Sequence, residues 1–312
     1  MIILYNMARE AARSLHSLSI AYQTGVEAED YEVIVVDNGS DLAPERSWVE
    51  SFGPNFRYLP ISSDEAKPSP CNAINQGVAI AVAPYVGIMI DGARIATPGC
   101  INLALDTLQR FDRAVVATIG FHLGHVMQKW AAQTGYSAEV EDMLLDQIGW
   151  PENGYRMFEI ASLTGVNWEG WFGRMAESNL IFLSRSMYHE IGGFDEGFDL
   201  PGGELANLDF FTRATDTPES TLVSLFGEAT FHQIHGGTLS AANHEKISAE
   251  VARYKARYEE RIGRPFRFST RIPLLVGYPR PEAAGCIAEI HRQDRPDAAT
   301  PPPADLKYSE TL

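Results

Sequence analysis

Two short runs of almost uninterrupted apolar residues, Tyr31–Asp37 (YEVIVVD) and Tyr85–Ile90 (YVGIMI), decide most of what this chain can fold into. A strand with one wet face alternates apolar and polar residues. A run that is apolar throughout belongs to a strand covered on both faces, the usual condition in a parallel sheet. Asn38-Gly39-Ser40 breaks the first run and Asp91 closes the second. Met1–Tyr5, Phe56–Ile61 and Ala114–Ile119 read as further strands. Arg9–Gln23, with Leu15, Leu18 and Tyr22 at helical spacing, Cys71–Val82, and a segment opened by Pro98 and running to Phe111 read as the helices between them. Proline is tolerated in a first helical turn. Repeated β-α-β units of this size predict a mostly parallel sheet with helices on both faces, and such sheets bind ligands beyond the carboxyl ends of their strands. Asp37 and Asp91 stand at two such ends.

Regularity weakens between about residues 122 and 172, where Val140–Ile148 is expected as a helix and Gly165–Gly173 (GVNWEGWFG) as a loop. It returns with a strand at Asn179–Leu183, a short helix to Glu190, a turn cluster over 192–203 and a helix over Glu204–Thr215. Thr221–Phe226 and Ala229–Ile234 read as two more strands, and Asn243–Gly263 as a charged amphipathic helix. Residues 296–312 are Pro-rich without apolar periodicity and are expected to form a flexible tail. The organisation expected is thus an α/β unit over 1–240, a helical extension over 241–295 and the tail.

With 41 acidic against 25 basic residues, the net charge of −16 argues against nucleic acid and anionic membrane as partners, because both are bound through basic surface. A polyanionic substrate would need a local cation. Cys71, Cys100 and Cys286 stand far apart, which rules out a disulfide framework or a thiolate zinc site and suits a reducing cytosol. The longest apolar run, Val78–Ile90, is interrupted by Pro84 and Gly87 and falls short of the about 20 residues a membrane helix needs. No basic segment followed by a cleavable apolar stretch opens the sequence. The expectation is a cytoplasmic chain without a transmembrane segment.

Five motifs occur in a fixed order. Tyr5-Asn6 with Arg9 follows the first strand, and Val36-Asp37-Asn38-Gly39-Ser40 ends the second. Asn75-Gln76-Gly77-Val78 and Ala83-Pro84-Tyr85 come next, then Asp91-Gly92-Ala93, and later Gly192-Gly193-Phe194-Asp195-Glu196. Together they resemble a family 2-type glycosyltransferase of the GT-A fold, over about residues 1–240. The resemblance implies a nucleotide-diphosphate sugar as donor and a sugar acceptor. It implies a donor site of Tyr5, Asn6, Arg9, Asp37, Asn75 and Asp91, and a divalent cation (Mn²⁺ or Mg²⁺) on the diphosphate.

Several positions depart from the pattern or carry two readings. Ala93 stands where a second metal-binding carboxylate is expected, and the next residue, Arg94, is either a direct partner of the diphosphate or an exposed cation. Asp37 either accepts hydrogen bonds from the nucleotide or caps the turn at Ser40. Of His232 and His235, three residues apart on a strand and so facing opposite sides, only His235 is expected at the metal or diphosphate. Asp209 to Arg213 matches the D-x-x-x-R part of a later motif, but Ala206-Asn207 takes the place of its leading acids. Glu204 is the nearest substitute as general base, with Asp209 as a supporting acid; both could instead be ordinary helix acids. Trp168 and Trp171 form either a sugar platform or a buried anchor.

The function expected is sugar transfer. The alternatives are a nucleotide-sugar-binding scaffold of the same shape without turnover, and a nucleotidyltransferase, which the lack of a Gly-rich basic loop after the first strand disfavours.

Overall fold

The computed structural model describes residues 1–126, 130, 134–167, 169–235 and 244–291. The elements run in the order β1 (Ile2–Leu4), α1 (Ala8–Ser17), β2 (Val33–Asn38), α2 (Arg46–Glu50), β3 (Phe56–Ile61), α3 (Cys71–Ala79) and β4 (Tyr85–Met89). Then follow β5 (Arg94–Ala96), α4 (Cys100–Arg110), β6 (Ala114–Leu123), α5 (Ala138–Gln147), β7 (Ala161–Leu163), β8 (Leu180–Ser184) and α6 (Arg185–Glu190). α7 (Ala206–Asp216), β9 (Thr221–His232), α8 (His244–Ile262), β10 (Leu274–Gly277) and α9 (Ala284–Ile290) complete the described chain.

One mixed sheet, ordered β10-β9-β6-β8-β4-β1-β2-β3, organises the protein. Along that path every ladder is parallel except the two that β8 makes with β4 and β6. All six residues of β2 are buried, as its apolar run requires. The core divides into two clusters, one on each face. Ile3, Ile34, Val36, Ile74 and Ile88 belong to the first and Ile2, Leu15, Val35, Val49 and Met89 to the second. Alternate residues of β1 and β2 thus serve opposite faces, the period-2 signature of a doubly covered strand.

Several places depart from expectation: α2, β5, β7 and β10 occupy stretches read as no element, and β10, within the expected helical extension, joins the main sheet beside β9. The stretch read as two strands is one, β9, with its register against β6 shifting between Ser224 and Ala229. Gly227, at φ +88°, absorbs the irregularity. The bulge turns Glu228 into the protein, where Thr97, Gly99 and Tyr155 donate to its buried carboxylate and Arg280 pairs with it. The helix expected from Glu204 begins at Ala206 instead, and Glu204 adopts φ +53°. Near the site, a Cβ on Gly92 would lie 2.3 Å from Leu4 Cδ2 and 3.1 Å from Ile3 O, so only glycine lets the loop after β4 pack against β1.

Among the described residues no helix is long and apolar enough to cross a membrane. The expected tail lies outside the described residues, while the helical part of 241–295 is present as α8 and α9.

Candidate functional site

Strand polarity gathers the chemistry on one edge. β1, β2, β4, β6 and β9 run parallel within their ladders, and β8, antiparallel between β4 and β6, sets the two groups pointing the same way. Their carboxyl ends therefore share an edge, which carries Tyr5, Asp37, Asp91, His122 and His232. The antiparallel strands contribute their starts. β5 opens with Arg94 paired to His232, and the lead-in to β8 brings Glu177 and Asn179 beside β4, where Ile90 N–H donates to Asn179 O at 3.3 Å. Asn207, in the first turn of α7, closes the group: its Nδ2 donates to Glu177 Oε2 at 3.1 Å.

At the centre of the edge, Arg94 Nε donates to Asp91 Oδ2 at 2.8 Å, and Ala93 N–H donates to Asp91 Oδ1 at 3.0 Å. The Arg94 residue is 8% exposed, and its buried Nη1 has no hydrogen-bond partner. A guanidinium keeps its charge in any protein, so this enclosed Nη1–H is a charged donor whose acceptor the protein itself does not supply. Three imidazoles surround it. His232 and His235 approach Nε2 to Nε2 at 2.9 Å, and the His122 and His232 rings are 5.4 Å apart. The expectation that only one of His232 and His235 could reach the site fails because β9 ends at His232. The chain then leaves the pleat, and His235 turns back.

Burial and the positive charge of Arg94 hold the His122 ring down to about 3, and His232 and His235 are lowered as well, chiefly by burial. A histidine depressed in the folded state takes up its proton first in the unfolded chain, so stability falls as pH drops through the ordinary value near 6.5. His122 alone should cost about 2 kcal/mol between pH 7 and pH 5. Urea unfolding at the two pH values should show at least that loss, and His122→Gln should lessen it by about 2 kcal/mol, leaving the share of His232 and His235. Equal loss in both proteins would contradict the assignment.

The turn after β2 is built by mutual capping. Ser40 donates its N–H and hydroxyl to the Asp37 carboxylate, which burial pushes above the usual range. The Ser40 Oγ in turn accepts from Asn6 N–H at 2.8 Å, and Asn6 clasps Asp41 through both ends of its amide. Asn6 sits at φ +52° to do so. Of the two readings of Asp37, the structure displays the turn cap. Tyr5 is exposed on the rim. Beside this turn lies a cavity of about 360 Å³, walled by Leu4, Met7, Ala11, Leu42 and Trp48 with Ser40 at its mouth.

Five expected site residues are committed elsewhere. Arg9 donates to Glu141 and Asp142 of α5 and to the carbonyls of Ala138 and Ile234, tying α1 to that helix. Asn75 uses its whole amide on the loop after α6: it donates to Phe194 O and Glu196 Oε1 and accepts from Phe194 N–H and Tyr188 OH. Glu204, buried and away from the cluster, pairs with Arg257 of α8 at 3.0 Å. Asp209 accepts from Arg213 and Tyr258, and Arg213 holds the carbonyls of Ile191 and Gly193. Both carboxylates are thus engaged by guanidinium groups in the packing of α7 against α8 and the loop after α6, rather than turned toward the sheet edge. Trp171 is fully buried against Phe121, Phe158 and Phe226, with its indole N–H on Leu225 O, and offers no face to a sugar. Trp168 lies outside the described residues. The residues that sequence reasoning overlooked are Glu177, Asn179 and His122; Ser-Asn beside a strand start carries no motif, and only the strand order brings them together.

Comparison with known proteins gives the fold its relatives. The family described as glycosyl transferase family 2 matches residues 1–178, more than half of the chain. This chain belongs to glycosyl transferase family 2. No curated protein sequence matches it significantly. Among solved structures it is similar to TarS of S. aureus, at 15% identity and a TM-score of 0.47, covering 86% of this chain and 44% of that one. It is also similar to GalNAc-T7 with UDP, GalNAc and Mn²⁺, at 13% identity and a TM-score of 0.48, covering 74% of this chain and 42% of that one. The chain thus spans less than half the length of either. The sheet and its flanking helices are a GT-A architecture.

The divalent cation expected of a family 2 chain meets a donor set that does not suit it. Hard cations take six or more ligands, mostly oxygens. Here the protein offers one carboxylate, Asp91, whose oxygens each accept one bond from Ala93 or Arg94, and two imidazole nitrogens that face each other, so a cation would draw most of its shell from water and substrate phosphate. Among the described residues no three His, Cys, Asp or Glu side chains gather as a cation site. Asp91 and His235 therefore do not fit a resident Mn²⁺ or Mg²⁺. A guanidinium occupies the centre instead.

Proposed function

We propose that this chain transfers a sugar from a nucleotide-diphosphate sugar to an acceptor hydroxyl, with Arg94 supplying the positive charge that holds the diphosphate. The observation that carries this is the Arg94 guanidinium, enclosed, fixed by Asp91 and left with an unpartnered Nη1 at the carboxyl edge of the sheet. In a chain of net charge −16, such a cation is the local site a polyanionic donor requires. Asp91 acts as the residue that positions it. The nucleoside takes the cavity beside Ser40, whose size and largely apolar walls suit a base with a few polar groups at the rim. Of the expected donor residues, Asp37 and Asn6 reach the cavity through Ser40, which both of them hold.

A polysaccharide, a glycolipid or a small molecule could each present the hydroxyl. The pairing of Glu204 and Asp209 to arginines favours one other account, a nucleotide-sugar-binding module of the same shape without turnover. Binding comes first in either case. In a thermal-shift panel of UDP, GDP and dTDP, one nucleotide at 100 times its dissociation constant should stabilise the fold by about 2.7 kcal/mol. No shift with any of the three at millimolar concentration would end both accounts.

A further inference from the structure

We propose that Glu177 is the catalytic base of the transfer, held in place by Asn207 and Asn179. The inference rests on the sugar-transfer reading and deepens it.

The acids expected to do this work are neutralised by arginines, and so are most acids around the site: Asp91 by Arg94, Glu141 and Asp142 by Arg9, Glu204 by Arg257, Asp209 by Arg213. Glu177 differs. Among the described residues it makes no ion pair, and its partners are two side-chain amides. Asn207 Nδ2 donates to Oε2 at 3.1 Å and Asn179 Nδ2 to Oε1 at 3.4 Å. Neutral amides orient a carboxylate without cancelling its charge, and each oxygen keeps a further lone pair for a proton. Glu177 is half-buried, so it is reachable by substrate.

Position agrees with the role. The sequence places Asn207 where the leading acids of the later motif belong, and the structure sets a carboxylate directly against that Asn207 amide. A carboxylate from the lead-in of β8 thus stands against the position that lacks an acid at the start of α7. β8 lies on the far side of β4 from β1 and β2, so across the sheet edge the order is Asp37, Asp91, Glu177. A nucleoside over β1 and β2 and a diphosphate near Asp91 leave the sugar and the acceptor on the β8 side. In-line displacement needs its base on that side, away from the leaving group. Glu177 takes the proton of the acceptor O–H, and the acceptor oxygen forms a bond to the anomeric carbon. The bond from that carbon to the β-phosphate oxygen breaks, and its electron pair leaves with the nucleoside diphosphate. One displacement inverts the anomeric configuration.

Without an acceptor, water takes the acceptor's place, so donor hydrolysis reports the base. The donors are UDP-α-D-glucose, UDP-N-acetyl-α-D-glucosamine, GDP-α-D-mannose and dTDP-α-D-glucose, and the proteins are wild type, Glu177→Gln and Glu177→Ala. The wild type should hydrolyse at least one donor, with the β-anomer as the first sugar seen by ¹H NMR. Glu177→Gln should lower kcat by about 10²–10⁴-fold with nucleoside diphosphate affinity within threefold of wild type. Its melting curve should match wild type, and sodium formate should restore part of the rate of Glu177→Ala but not of Glu177→Gln. Hydrolysis by Glu177→Gln within threefold of wild type, or first release of the α-anomer, would overturn the assignment. So would a wild type that binds the parent nucleotide yet hydrolyses none of the four, since a base facing an open acceptor site activates water. A wild type that binds no nucleoside diphosphate at all would instead overturn the transfer reading itself, and this assignment with it.

Discussion

Arg94→Ala should weaken nucleoside diphosphate binding by about 150-fold. The guanidinium offers two N–H groups to phosphate oxygens, each hydrogen bond to a charged group is worth about 1.5–3 kcal/mol, and loss of both at the lower value is roughly 3 kcal/mol. The same change strips Asp91 of its counter-charge and leaves an anion where the donor's phosphates must sit, so repulsion adds to the loss. Arg94→Lys should fall between, because an ammonium keeps the charge but cannot hold Asp91 and a phosphate together in one planar fork. Calorimetric titration of the three proteins with the nucleotide chosen by thermal shift measures this directly. Unchanged affinity in Arg94→Ala would show that the diphosphate is held elsewhere.

For Arg9→Ala the large effect should be on folding. The Glu141 side chain is fully buried and takes Arg9 as its ion partner at 3.0 Å, supported by Tyr136 OH and Ile234 N–H. Removing one member of a buried pair typically costs about 3–5 kcal/mol, because the other charge remains without compensation. With two neutral donors still on Glu141, the lower end, about 3 kcal/mol, is the expected loss in urea unfolding. The double change Arg9→Met with Glu141→Gln should recover part of it. A small loss, combined with a large drop in nucleotide affinity, would return Arg9 to the donor site.

These two arginines show what could and could not be read in advance. The strands were legible because β2 and β4 are buried on both faces and leave continuous apolar runs. Phe56–Ile61, bounded by turn residues, matched β3 at both ends. Asp91 and Arg94 were each singled out, Asp91 for a cation and Arg94 for a diphosphate or for the surface, but their ion pair with one another was not foreseen. Arg9 was not legible either. Its partners lie more than 120 residues away on α5, and a basic residue after a first strand looks the same whether it meets phosphate or carboxylate. Asn75 was misleading for a related reason: it braces the loop 191–196, as Arg213 does with Asp209 behind it, and a residue that meets backbone reads the same in sequence as one that meets a ligand. β9 was split in two because Gly227 looks like a turn, while the ladder with β6 continues past it. Glu177 was invisible because β8 enters the sheet antiparallel, and only that insertion brings residue 177 to the edge that carries Asp91.

The measurement that bears most directly on Arg94 as the counter-charge is a calorimetric titration of the wild type with UDP, GDP and dTDP in excess EDTA, repeated with Mn²⁺. The arrangement of Arg94, Asp91 and the imidazoles predicts that one nucleotide binds in EDTA, and that Mn²⁺ changes its affinity by less than about threefold, equivalent to under about 0.7 kcal/mol. Mn²⁺ alone should give no binding heat. Binding that vanishes in EDTA and returns with Mn²⁺ would contradict it, and would place a cation where the guanidinium is proposed to act.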